Sequence, residues 1–211
     1  MGTITKGILG GFSGTVGTVI GGSWKGIEYM RSKPARRTAT SSQKQKEQQE
    51  KFSVMIKFLS TLNSLLMFSF KSYAVRMTGA NSALSYNLRN AITGTYPAYD
   101  VNYSLALVSR GDLPNAQSPA AVAAAGGVIN YTWVNNAGTG KAADDDKAIL
   151  VVYCKAKQAS NYAMSGDRVD EAGTLDVSAF TGEVVETWIG FFSADGRETA
   201  TSIYTGQLTV I

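Results

Sequence analysis

The sequence contains no histidine and only one cysteine, Cys154. The lack of histidine excludes Ser-His-Asp and Cys-His catalysis, and it excludes zinc sites that are built on histidine or on paired cysteines. An internal disulfide is impossible with a single cysteine. Because Cys154 lies in the apolar run 148–155, we predict that its thiol is buried in a core. We therefore expect a protein that is not an enzyme and that needs no cofactor.

Targeting signals are also scarce. The N-terminus lacks the cationic segment, apolar stretch and small-residue cleavage site of an ordinary secretory signal. Residues 7–23 carry no charge, but seven of these 17 residues are glycine and their hydropathy is low for a membrane span. A membrane partner is therefore not favoured. The localisation stays open between the cytoplasm, a virion and an assembled extracellular structure.

Charge is sorted between the two halves of the chain. Residues 1–110 carry 14 Lys and Arg against 4 Asp and Glu, whereas residues 111–211 carry 6 against 12. The net charges are +10 and −6, which give the overall +4. Such a molecule is suited to bind an anionic partner with its first half, or to stack head to tail on copies of itself.

Glycine dominates the first 40 residues, which hold nine of the 22 glycines. Because interior glycines disfavour helix, we predict a β-hairpin with strands at 15–20 and 27–31. The turn between them, residues 21–26, displays Trp24 and Lys25. A two-stranded ribbon is marginal when isolated, so this one is expected to pack on the rest of the chain or on another subunit.

A long amphipathic helix is predicted to follow. Ser42 and Gln45 have the spacing of a capping box, and apolar residues recur every three or four positions from Phe52 to Tyr73. An unbroken helix over 43–76 would be about 51 Å long at 1.5 Å per residue. A kink near residues 63–64, which folds two shorter helices onto one core, is the open alternative. A further helix is expected from Asn81 or Ser82 to about residue 91.

From residue 99 the pattern changes to period two, which is typical of β-strands. Alternation predicts strands at 101–107 and 129–133, and further strands are expected at 148–155, 174–180, 184–192 and 202–210. Turn-forming segments separate them, and residues 120–125 are compatible with one helical turn. The fold class is therefore α+β, with a basic ribbon and helical region at 1–98 and an acidic, antiparallel sandwich-like domain at 99–211.

A basic and aromatic cluster is the first candidate site. Arg31, Lys33, Arg36 and Arg37 follow closely on Trp24 and Tyr29, a mixture that suits phosphates and stacked bases. The alternative is an intersubunit charge cluster that meets acidic loops of the second half. The lysines of the predicted helix do not share one face and add no basic stripe.

The run Asp144, Asp145 and Asp146 is the complementary acidic candidate. It lacks the Asp-x-Asp-x-Asp-Gly spacing of a calcium loop, so we predict a solvated acidic loop and no metal. Residues 138–141 fail the phosphate-loop pattern, because Asn135 and Ala142 occupy the positions of its first glycine and its hydroxyl residue.

Several short motifs carry a family resemblance. In the first half they are Gly14-x-x-Gly17, Gly22-x-Trp24-x-Gly26, Tyr29-x-Arg31 and Pro34, followed by Gln43 and Phe52. In the second half they are Ser109-x-Gly111-x-Leu113, Thr132 with Trp133, Asp145 with Asp146, and the segment 191–196 with Tyr204. In this order and over nearly its whole length, the chain resembles an uncharacterised protein family of Bacteroidota. The N-terminal part is also similar to segments of phage-associated structural proteins. The resemblance implies a structural role and assigns no catalytic residue.

Three functional hypotheses follow. The first is a self-assembling structural subunit of a filament or shell, a homo-oligomer in which Trp24, Arg31, Arg36 and Arg37 contact neighbours and acidic loops complement them. The second is a nucleic-acid-binding module. The third is a sandwich that binds a small ligand or glycan through loops near Trp133 or Trp188.

Overall fold

The computed structural model describes residues 2–4, 7, 10–35 and 41–211. The chain forms two compact units, an N-terminal unit of residues 1–42 and a main unit of residues 43–211. This division differs from the boundary at residue 98 that charge and periodicity suggest. The helical region belongs with the later strands because its apolar side chains share a core with them.

The N-terminal unit contains a four-stranded antiparallel sheet in the order β1-β2-β3-β4. Its strands are β1 (Thr3–Ile4), β2 (Phe12–Val16), β3 (Val19–Trp24) and β4 (Ile27–Ser32). The turn between β3 and β4 is only Lys25 and Gly26, whose φ angles of 47° and 81° fit the tight turn that joins twisted strands. The predicted strand 15–20 is interrupted by a turn at residues 17–18, which joins β2 to β3. Residues 21–24, which we predicted in the turn, belong to β3 because they pair with β4.

Three helices open the main unit: α1 (Gln43–Ser60), α2 (Asn63–Ser69) and α3 (Gly79–Asn90). Helices α1 and α2 meet at 89°, so the chain follows the kinked alternative rather than one long helix. Leu62 lies at this corner and is fully buried. Helix α3 begins after Thr78, whose hydroxyl accepts the amide N–H of Asn81. The predicted caps Asn81 and Ser82 therefore lie within the first turn of α3.

The described residues contain no single helix that is long and apolar enough to cross a membrane. Helices α1 and α2 meet the length and composition criteria only as a bent pair. Many apolar side chains of this pair, among them Met55, Phe58 and Leu66, lie in a core of the main unit, whereas Phe52, Ile56 and Met67 are exposed.

The strands of the main unit form a hairpin and two larger antiparallel sheets. Strands β5 (Ile92–Thr95) and β6 (Ala98–Val101) make the hairpin. The three-stranded sheet has the order β11-β8-β7, and the four-stranded sheet has the order β10-β9-β12-β13. Their bounds are β7 (Gln117–Ala124), β8 (Val128–Val134), β9 (Lys147–Cys154), β10 (Ala159–Asp167), β11 (Ala172–Asp176), β12 (Val184–Phe192) and β13 (Ile203–Thr209).

Two hydrophobic cores cover opposite faces of the four-stranded sheet. The first lies against the three-stranded sheet and takes Leu150, Val152 and Cys154 from β9. The second lies against the helices and takes Ile149 and Val151 from the same strand. Because both faces are covered, β9 is a continuous apolar run rather than an alternating one. Cys154 is buried, as predicted.

Three predicted elements of the main unit differ from the structure. Strand β11 ends at Asp176, and residues 178–180, which we predicted in the same strand, form a 3₁₀ turn. Residues 102–107 are not a strand but an irregular turn, in which the Asn87 side chain binds both the N–H and the carbonyl of Leu107. Residues 120–124 belong to strand β7 and not to a helical turn, since Ala121 pairs with Tyr131 of β8. Packing of Ala121 against the large Tyr131 side chain outweighs the helical preference of alanine. Strand β10 had no counterpart among our predictions.

Candidate interaction surfaces

One face of the N-terminal sheet carries aromatic and cationic side chains. The register pairs Trp24 with Ile27, Gly22 with Tyr29, and Ile20 with Arg31. Directly paired residues of antiparallel strands lie on the same face of a sheet, and every second residue returns to that face. We call the face formed by these six residues the aromatic face.

The aromatic face is open to solvent. Trp24, Ile27 and Tyr29 are 52%, 50% and 47% exposed, and Arg31 is exposed as well. A Cβ atom on Gly22 would lie 3.0 Å from the Tyr29 hydroxyl, so the tyrosine side chain lies across the glycine rather than away from the sheet. Trp24, Tyr29 and Arg31, which we predicted to act together, therefore share one surface.

The remaining predicted cations are not all placed on it. Lys25 is exposed in the turn between β3 and β4, and Lys33 is exposed just after β4. Arg36 and Arg37 lie outside the described residues. The structure therefore describes the predicted cluster as far as Lys33 and leaves out its last two arginines.

The opposite face of the same sheet is also apolar and exposed. Ile4, Val16 and Met30 lie on this face and are 59%, 55% and 71% exposed. The Phe12 ring covers Gly21, which is the one buried residue among the described part of the N-terminal unit. Sequence reasoning singled out the aromatic face and missed this one, although the position of Met30 between Tyr29 and Arg31 in a strand signals a second apolar face.

A second charged surface lies at one end of the main unit. We call it the acidic end and define it by residues 135–147, 167–171 and 193–198. These segments hold eight Asp and Glu against four Lys and Arg, a net charge of −4. They are in contact, since the backbone N–H of Asn135 donates to Glu171, and Asp145, Asp195 and Glu198 line one shallow cleft.

The structure separates the three predicted aspartates. Asp144 and Asp145 are exposed, as a solvated loop requires. Asp146 is 1% exposed and forms an ion pair with Arg168, whose side chain is fully buried. Asp146 is therefore not available on an acidic surface, because its carboxylate neutralises a buried guanidinium. Of the three, only Asp144 and Asp145 are exposed and remain candidates for the predicted complementary loop.

Arg168 holds the acidic end together. Its guanidinium donates to Asp146, to the Asn136 side chain at 2.6 Å and to the Pro114 carbonyl at 2.9 Å, and it lies 4.3 Å from the centre of the Phe191 ring. Burial lowers the pKa of Arg168 from its ordinary value, while Asp146 acts in the opposite direction. One side chain thus joins four separate segments of the main unit.

The ion pairs at the rim of the acidic end are of a different kind. Lys141 lies 2.5 Å from Glu198, Lys147 pairs with Asp167, and all four side chains are more than a third exposed. Exposed pairs of this sort contribute little to stability. The rim therefore tunes the surface potential rather than the fold.

The two tryptophans of the main unit lie in the cores rather than at binding loops. Trp133 is 3% exposed and donates its indole N–H to the Arg168 carbonyl, and Trp188 is fully buried and donates to the Ala106 carbonyl. Neither ring is presented for stacking on a sugar. Within the described residues there is also no group of three metal-ligating side chains.

Comparison with protein families gives one match. Residues 11–206 match the model of a family of unknown function, DUF6266, so the chain belongs to that family. A comparison with curated proteins found no match. The match covers strands β2 to β4 of the N-terminal sheet and the main unit as far as residue 206.

Proposed function

We infer that this protein is a non-enzymatic subunit of a homo-oligomeric assembly of the filament or shell type, as in phage-like structures. One observation carries the proposal: the N-terminal sheet exposes large apolar side chains on both of its faces. A sheet with no covered face lacks the apolar burial that normally stabilises it. Exposed apolar patches of this kind typically mark contacts between proteins.

Charge complementarity makes a second copy the natural partner. The N-terminal unit carries six Lys and Arg against one Glu, a net charge of +5, whereas the acidic end carries −4. Contact between the N-terminal unit of one copy and the acidic end of the next is heterologous, so it repeats into a ring or an open filament. Asp144, Asp145 and the rim carboxylates are the expected partners of Arg31 and Lys33.

Light scattering over a concentration series tests the proposal. Tyr29→Ser and Met30→Ser, one on each face of the N-terminal sheet, are each expected to weaken assembly about tenfold, since a lost contact of about 1.4 kcal/mol changes a Kd by that factor. Val122→Ser is the matched control, because Val122 is an equally exposed apolar residue on strand β7 of the main unit. A wild-type protein that stays monomeric at every concentration would contradict the proposal.

A salt series tests the charge argument separately. Added salt screens exposed charges, so assembly is expected to weaken as ionic strength rises. Replacing Asp144 and Asp145 together by Asn should reduce that salt dependence, whereas Glu47→Gln with Glu50→Gln on α1 should not. Equal salt dependence in both double variants would remove the acidic end from the interface.

Nucleic acid is the second candidate, because Trp24, Tyr29 and Arg31 share one exposed face. Single-stranded nucleic acid binds such faces by stacking its bases on the rings while cations contact its phosphates. Binding of an oligothymidylate with a steep salt dependence, lost in Trp24→Ala, would favour this function over self-assembly.

A further inference from the structure

A cleft of about 390 Å³ lies within the main unit, between α1, the β5–β6 hairpin and β9. This volume falls within the range of small-molecule sites, roughly 300 to 1,000 Å³. Its floor is aromatic: the Phe58 ring lies 4.8 Å from that of Tyr153 and 5.7 Å from that of Tyr103, both edge to face. The site has no residue in common with the acidic end or the N-terminal unit.

Two tyrosine hydroxyls in this cleft have no hydrogen-bond partner within the described structure. Tyr153 lines the cleft and is 3% exposed, and the Tyr103 ring lies 5.8 Å from it. By contrast, the hydroxyl of the equally buried Tyr131 donates to the Val151 carbonyl at 3.0 Å. Both hydroxyls reach the open space of the cleft, because neither is fully enclosed without a partner. The Tyr103 and Tyr153 hydroxyls are thus available to a ligand.

The cleft also offers an ammonium group. Lys57 of α1 lines it and forms no ion pair with any described residue. Lys155, across the cleft, is bound to Asp100 at 2.5 Å. The other oxygen of Asp100 accepts the backbone N–H of Val101 at 2.8 Å, so both oxygens of this carboxylate are occupied. The charged group of the cleft that has no partner is therefore a cation. The tyrosine hydroxyls and the side-chain amide of Gln158, which also lines the cleft, can each donate a hydrogen bond beside it.

Burial raises the pKa of both Tyr103 and Tyr153 above the ordinary value of 10.0. Both phenols consequently stay protonated at neutral pH and keep their donor character. Two phenolic O–H groups and one ammonium, set against an aromatic floor, complement a ligand whose acceptors are negatively charged and whose body is flat and apolar.

We propose that this cleft is a binding site for a small organic oxyanion, a carboxylate or phosphate carried on a flat apolar body. The oxyanion accepts from Lys57 and from the Tyr153 and Tyr103 hydroxyls, and the apolar body packs against Phe58. The site is separate from the proposed assembly contacts, because none of its residues belongs to the acidic end or to the N-terminal unit.

Calorimetry on the full chain with three probes tests the site: phenylacetate, phenyl phosphate and the neutral benzyl alcohol. At least one anion is expected to bind with a Kd below about 1 mM, and benzyl alcohol at least about tenfold more weakly. The stronger of the two anions identifies the head group. Lys57→Gln and Tyr153→Phe should each weaken that anion by about five- to tenfold, since a hydrogen bond to a charged group is lost.

Matched variants separate recognition from general effects. Lys46→Gln changes the same helix outside the cleft, and Tyr162→Phe makes the same deletion of a hydroxyl on β10; both should bind as the wild type does. If Tyr153→Phe changes the urea midpoint, it has changed the stability of the protein. The binding of the Lys57→Gln variant, whose changed side chain is exposed, then decides the test. The site is refuted if neither anion binds, if benzyl alcohol binds equally well, or if the cleft variants and the controls bind alike.

Discussion

The N-terminal unit and the main unit are both built on antiparallel pairing, but they differ in what covers their sheets. In the main unit, one core lies on each side of the four-stranded sheet, and strand β9 has every residue from Ala148 to Cys154 buried. In the described part of the N-terminal unit, hydrogen bonds join the strands but only Gly21 is buried. Backbone pairing alone is a weak source of stability, because those groups exchange water for each other. The main unit thus has apolar burial on both sides of a sheet, and the described part of the N-terminal unit has little, which is the difference on which the proposed assembly rests.

The largest expected effect is a loss of stability in the main unit alone. Asp146→Ala leaves the Arg168 guanidinium buried without its counter-charge, which should lower the free energy of unfolding by about 3–5 kcal/mol. Urea unfolding in a Trp24→Phe background measures this, because the remaining tryptophans, Trp133 and Trp188, report only on the main unit.

Asp144→Ala is the control for that variant, since its side chain is exposed and its loss should cost less than about 1 kcal/mol. Similar destabilisation by the two alanine variants would mean that Arg168 does not depend on its buried partner.

A smaller effect is expected in the N-terminal unit. A Cβ atom on Gly21 would lie 2.1 Å from the Phe12 carbonyl oxygen, so Gly21→Ala forces strands β2 and β3 apart, at a cost of about 1–3 kcal/mol. Gly22→Ala meets only the far end of the Tyr29 side chain at 3.0 Å and should be tolerated better. Amide hydrogen exchange should accelerate in β2–β4 for Gly21→Ala and stay unchanged in the main unit. Equal acceleration in both units would show that they fold as one.

The smallest effect is a difference in alkaline stability. Burial raises the pKa of Tyr131 and Tyr204 from the ordinary value of 10.0. The folded main unit therefore keeps these protons when the unfolded chain releases them, so its stability is constant below about pH 10 and falls as the pH rises further.

Tyrosinate absorbance followed against pH, together with tryptophan fluorescence, measures this linkage. Tyr131→Phe should shrink the ionisation step that accompanies unfolding, because the phenol whose pKa burial raises is then missing. An unfolding transition that is independent of pH above 10 would contradict the assignment of Tyr131 to a closed core.

The sequence predicted best where apolar side chains are large. Strands β8, β9, β12 and β13 each carry bulky apolar residues in a pattern that their burial requires, and all four are present. Strand β7 was mistaken for a helical turn because its signal is a run of alanine, and only pairing with β8 makes it a strand. The apolar spacing continues through Leu62, so the sequence could not decide between one long helix and two helices that meet at a corner there.

For the candidate surfaces, the sequence predicts residues that are close together in the chain better than residues that only the fold brings together. Trp24, Tyr29 and Arg31, which were grouped by their closeness in the sequence, lie on one face because every second residue of a strand and its paired residue on the next strand share a face. Asp146 was misread because its partner Arg168 lies 22 positions away and only the folded main unit brings them together. The donors of the cleft, Lys57 and Tyr153, lie on different elements and share no sequence pattern that would have joined them.

The position of Arg168 has a consequence for how the acidic end meets another molecule. Because one buried guanidinium fixes segments near residues 114, 136, 146 and 191, the exposed carboxylates around them are held in place before any encounter. Carboxylates that are already held in place lose little conformational entropy on contact. Their electrostatic field attracts oppositely charged groups before they touch. Loosening Arg168 should thus slow capture of a cationic partner even where every surface carboxylate is retained.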